Sequence, residues 1–137
     1  MKLKQLACKH FEVVAVMEGD ECPAESFLLD GEDSTEAYRL GLTDMLGEVA
    51  EKGLANVPQS WIHEASKKLK IYEFIKGPLR LFFFKGKNGQ IAVCTTGVRK
   101  SGQKADSASV NKAAQLRDDY HEAFNNRTLT TVIENET

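Results

Sequence analysis

Residues 69–96 read LKIYEFIKGPLRLFFFKGKNGQIAVCTT. Aromatic and β-branched residues, which suit a pleated and half-buried surface, fill three runs here: Lys70–Ile75, Leu79–Phe84 and Gln90–Thr96. Lys76-Gly77-Pro78 separates the first two. Asn88-Gly89 precedes the third, and that dipeptide supplies the positive φ angles a tight hairpin needs. Short connections of this kind join antiparallel neighbours, so the stretch predicts a three-stranded meander. Alternation along the middle run sends Leu79, Leu81 and Phe83 to one face and Arg80, Phe82 and Phe84 to the other. Arg80 therefore stands among aromatics. Either its stem packs on Phe82 while its head reaches water, or the charge has a task.

Towards the N-terminus, FEVVAVM (Phe11–Met17) predicts a strand and Glu18-Gly-Asp-Glu a turn. Pro23 suits the first position of a short helix ending near Leu29, closed by Asp30-Gly31. Asp33 with Glu36 has the spacing of a capping box opening a helix over residues 34–52. Tyr38, Leu42, Met45 and Val49 make its apolar stripe, and Gly53 stops it. Residues 54–65 read as irregular. Beyond the meander lie a basic loop, Gly97–Gln103, and a helix from Ser107 or Ser109 to Phe124. Its stripe is Val110, Ala113, Leu116, Tyr120 and Phe124. The polar tail, residues 125–137, is expected to fray. The sum is one domain over residues 1–137. Its class is α+β: an antiparallel-rich sheet of about four strands, packed on one face by N-terminal helices, with a C-terminal helix.

The net charge of −2 hides a strong division. Residues 66–104 hold ten Lys or Arg and one acid, Glu73, whereas residues 1–65 hold five bases and thirteen acids. Such a basic stretch attracts polyanions at short range and suits RNA or DNA phosphates. No run approaches the roughly 20 apolar residues of a membrane span. The first residues lack the apolar core of a signal peptide. Cys8, Cys22 and Cys94 are odd in number with no Cys-x-x-Cys spacing, which fits reduced, buried thiols and a cytoplasmic protein. His10, two residues after Cys8, has no partners at metal-ligand spacing, and His63-Glu64 lies outside a His-Glu-x-x-His pattern. No metal and no cofactor is expected.

The ordered set Tyr72-Glu73, Arg80 before Phe82–Phe84, Gly97, Arg99-Lys100 with Lys104, then Arg117 and Tyr120 resembles the RelE/HigB superfamily of bacterial toxins, including its phage-related Gp49-like members. The likeness spans roughly residues 66–122. It implies a toxin of a type II toxin–antitoxin system, neutralised by a partner antitoxin that is often a helix-turn-helix protein. Many such toxins cleave mRNA on the ribosome and inhibit translation. Three features depart from the family pattern. Ile71 and Glu73 stand where some members carry lysines, Val98 replaces an aromatic, and Ala105-Asp106 replaces Thr-Pro.

Metal-free RNA cleavage needs a base for the 2′-hydroxyl, positive charge for the phosphorane and an acid for the leaving oxygen. Arg80 is the candidate for the phosphorane, because its fork holds two oxygens and its charge is permanent. Arg99, Lys100 and Lys104, with Lys70, Lys76 and Arg117, are candidates to bind the RNA backbone. Asp119, Tyr120 and His121 resemble the Asp-Tyr-His run that lines the HigB site. His121 is the better proton carrier, and Glu73 is a further carboxylate candidate. Three consecutive helix residues splay by about 100° each and cannot all face one substrate. The ribonuclease expectation is that Arg80 and the cations after the last strand share one groove beside the C-terminal helix. A non-enzymatic gyrase inhibitor of the ParE kind and an inert relative stay open beside it.

Overall fold

The computed structural model describes residues 1–100 and 106–134. Among these, seven strands form one mixed sheet: β1 (Lys2–Cys8), β2 (Glu12–Val16), β3 (Ile62–Ser66), β4 (Ile71–Lys76), β5 (Leu79–Phe84), β6 (Gln90–Arg99) and β7 (Thr130–Val132). Their order is β3-β4-β5-β6-β2-β1-β7. The run from β3 to β6 is antiparallel throughout, as is β1 with β2. β2 lies parallel to β6, and β7 parallel to β1. The helices are α1 (Pro23–Leu29), α2 (Glu36–Lys52) and α3 (Ser107–Asn125).

This corrects the expected architecture. The sheet has seven strands in mixed directions rather than about four, and helices cover both of its faces. On one face α1 and α2 bring Leu28, Leu42, Leu46 and Val49 onto Val13, Ala15, Phe74, Leu81 and Phe83. On the other, α3 brings Val110, Ala113 and Tyr120 onto Leu3, Val14, Phe82, Phe84 and Val93. The strand compositions explain this. Val13–Val16, Leu81–Phe84 and Ala92–Cys94 are buried at every position, and a strand apolar on both sides needs cover on both.

The sheet grew by three strands that carry little strand signal. β1 (KLKQLAC) alternates poorly, β3 (IHEAS) lies in the stretch read as irregular, and β7 lies in the tail expected to fray. The Met1 ammonium donates to Thr128 O at 3.0 Å, which ties the start of β1 to the segment leading into β7. Lys4 is buried and donates to Glu25 of α1 and Glu134 of the tail, at 2.6 and 2.7 Å, which holds its pKa up at about 12.

Several local readings hold. Pro23 opens α1, and Gly53, at φ +86°, ends α2. Asn88 and Gly89 have φ +52° and +83°, the paired left-handed angles of the tight hairpin. The capping box does not form. Asp33 instead starts a single 3-10 turn, Asp33–Thr35, and α2 begins at Glu36 with no side-chain cap. Along α2, Leu42, Met45 and Val49 are buried as expected, but Arg39 takes the place of Tyr38. Its guanidinium is buried and donates to Leu29 O and Glu32 O, closing the α1–α2 turn. Cys22 and Cys94 are buried, whereas Cys8 is exposed.

Candidate nucleic-acid interface

Three adjacent strands bring His63, Glu73 and Arg80 together on the α3 face of the sheet. His63 of β3 is in register with Glu73 of β4, and Glu73 with Phe82 of β5. Directly paired residues point to the same face, and Arg80 lies two residues before Phe82 on that face. Glu73 Oε1 is 3.1 Å from His63 Nδ1 and 3.8 Å from Arg80 Nε. The Glu73 side chain is only 3% exposed, whereas that of His63 is 62% exposed. A carboxylate thus forms the floor and an imidazole the rim. Burying an acid in a strand is costly unless partners meet it, and here the His63 ring nitrogen and the Arg80 guanidinium do.

The Arg80 side chain is largely buried. Its Nη1 donates to Gly77 O at 2.7 Å and Leu79 O at 2.9 Å, anchoring it to the β4–β5 turn. At 3.8 Å the Nε–Glu73 contact is an ion pair and not a hydrogen bond, so buried Nε has no hydrogen-bond partner among the described residues. Chemically the trio resembles a carboxylate–histidine couple beside a permanent cation. Glu73 accepting from Nδ1–H fixes the imidazole tautomer and leaves Nε2 as the proton acceptor at the rim.

The other sequence candidates do not join this cluster. Arg99 is in register with Leu79, whose side chain packs under α1 and α2. It therefore leaves the sheet on the opposite face from Arg80, where it reaches Glu32 at 3.4 Å. Lys76 also leaves on that face. It is in register with Leu79, and its stem runs along α2 at Gly41. Lys100 stays at the Arg80 end, its backbone N–H donating to Pro78 O at 2.7 Å. Lys104 lies outside the described residues. The single groove for Arg80 and the cations after the last strand is therefore not formed by Arg99.

The α3 candidates gather at the other end of the sheet. Along α3, Lys112 pairs with Glu18 just beyond β2, and Tyr120 reaches the β5–β6 hairpin. There the Tyr120 hydroxyl donates to Gln90 Oε1 at 2.6 Å and accepts from Lys87 N–H at 3.1 Å. Tyr120 is fully buried and its phenol pKa is pushed up, chiefly by burial, so it is a core residue. Arg117 Nη1 donates to Leu69 O in the β3–β4 turn, beside exposed Lys70, and Nη2 pairs with Asp118. Asp119 accepts from Gln115 at 3.1 Å and turns towards the Met1–Lys2 edge. His121 packs its ring near Phe84 and Tyr120, with Nδ1 buried and unpartnered among the described residues. Burial, then Lys87 and Arg117, lower its pKa below 6.5 and keep it neutral at pH 7.

The sequence marks out Arg80 and Glu73, whereas His63 is weighed there only as a metal ligand and fails that pattern. It falls in the stretch that reads as irregular, and without a strand there is no register to carry it opposite Glu73. Among the described residues, no group of three His, Cys, Asp or Glu side chains is placed to hold a metal ion, and no helix is long and apolar enough to cross a membrane. No protein-family model matches the chain, and a comparison with curated proteins found no match.

Proposed function

We propose that this protein is an endoribonuclease that cuts message on the ribosome, the toxin half of a RelE/HigB-like toxin–antitoxin pair. The observation that carries this reading is the His63–Glu73–Arg80 cluster on an exposed rim of a basic segment. His63 Nε2 takes the proton of the 2′-hydroxyl as it attacks the adjacent phosphorus. Glu73 holds the imidazole and balances its charge. Arg80 offers positive charge to the phosphorane through Nη2, which makes no hydrogen bond to the described residues. The 5′-oxygen leaves with a proton drawn from water, giving a 2′,3′-cyclic phosphate. Lys100 and the exposed lysines 67, 68 and 70 supply the attractive field for the RNA backbone.

On this reading the protein works in the cytoplasm, where ribosomes are. A partner antitoxin neutralises it by covering the His63 rim. The test is purified protein with translating ribosomes, followed by mapping of message ends. His63→Gln, which keeps the shape but removes the proton acceptor, should slow cleavage by about 10²-fold or more. Unchanged cleavage in that variant would remove His63 from the reaction. A non-enzymatic gyrase inhibitor is favoured by one observation: Arg80 commits both Nη1 hydrogens to its own turn and its side chain is only 15% exposed. Expression that gives DNA-damage signals with intact message would select that reading.

A further inference from the structure

At the end of the sheet away from Arg80, the β5–β6 hairpin, the end of α3 and β7 enclose an open cavity of about 620 Å³. None of its lining residues is acidic, although the chain has 20 acids. Two lining residues are cations, Lys87 and Arg127, and both are exposed. Neither forms an ion pair among the described residues. The Lys87 ammonium sits 5.7 Å from the centroid of Phe124, another lining residue, so an aromatic face lies next to positive charge.

The walls are held in place. Gln90 receives the Tyr120 hydroxyl and turns its Nε2 towards Thr131 Oγ1 at 3.5 Å. Asn88 and Arg127, which carry polar groups into the cavity, both have left-handed backbone, with φ +52° and +58°. Glu12, in register with Gln90, has its carboxylate occupied by Gln5 Nε2 at 2.7 Å.

We propose that this cavity binds a nucleotide, with its phosphate between Lys87 and Arg127 and its base on Phe124. The chemistry is that of single-strand recognition: a cation pair for phosphate and a π-face for the base. An entering phosphate draws the Lys87 ammonium off the ring and frees that face for stacking. Asn88 and Gln90 offer amide groups to the base or ribose. The site stands at the far end of β5 from Arg80 and does not depend on RNA being cut.

The test is a titration of isotopically labelled full-length protein, followed by NMR, with AMP, adenosine, inorganic phosphate and a short single-stranded oligoribonucleotide. AMP should move the amides of Lys87, Asn88 and Arg127, at lower concentration than phosphate or adenosine. Arg127→Asn, which suits the left-handed backbone and keeps the fold, should weaken AMP about tenfold, as loss of a charged hydrogen bond does. Phe124→Ala should bring AMP down to the level of phosphate. An oligoribonucleotide tighter than AMP assigns the site to an RNA strand, and the reverse order assigns it to a free nucleotide. No movement of those amides at millimolar AMP would overturn the proposal, as would equal binding of AMP and phosphate or unaltered binding in Arg127→Asn. Because the assay contains no ribosome and no cleavage, its outcome is separate from that of the ribonuclease reading.

Discussion

Tyr120 is a large, fully buried side chain in the core under α3, and its hydroxyl spends both bonding directions inside the protein. Tyr120→Phe should therefore lower stability by about 1–2 kcal/mol in urea unfolding while leaving message cleavage intact. A large loss of cleavage with unaltered stability would return Tyr120 to the reaction. His121, one residue on, gives a pH signature. Its folded pKa is depressed, so between that value and 6.5 the unfolded chain binds the proton that the folded chain refuses. The contribution is fully present above 6.5 and is lost as pH falls through that window. Wild type should thus lose melting temperature on acidification from pH 7 to 5, and His121→Gln should lose less. Equal losses in both would show that His121 does not titrate in this way.

At the scale of elements, the close seating of α1 on β6 rests on Gly97. A Cβ there would lie 2.2 Å from Phe27 of α1. Gly97→Val should force Phe27 aside and cost about 1–3 kcal/mol by overpacking, measured by urea unfolding. A stable Gly97→Val protein would mean that α1 sits more loosely on the sheet than its contacts indicate. The elements with strong local chemistry were legible in the chain. Leu79–Phe84 is a strand by composition, Asn88-Gly89 is a hairpin by backbone preference, and Pro23 and Gly53 mark helix ends. β1, β3 and β7 were not legible. Lys4, His63 and Thr131 break any apolar alternation, and these strands exist because neighbours offer an edge to pair with. That is tertiary context, which no local pattern carries.

Across the whole molecule, charge in sequence and charge in space diverge. The ten cations of residues 66–104 make one basic run in the sequence, yet the sheet sends Arg80 to one face and Arg99 and Lys76 to the other. Arg80 lies with His63 and Glu73 on the α3 face, while Arg99 and Lys76 lie on the side of α1 and α2. Parity along β5 and β6 decides this. Arg99 is opposite Leu79, and Arg80 is one residue further on. Arg80 itself could be read from its place among aromatics, but its grouping needed the register of three strands. The most direct measurement compares Arg80→Ala with Arg99→Ala in message cleavage on translating ribosomes, each checked for an unaltered fold. The account predicts that Arg80→Ala loses about 10²-fold or more, as removal of a charge-stabilising donor does, while Arg99→Ala cuts at close to the wild-type rate. Full activity in Arg80→Ala, or an equal loss in both variants, would contradict it.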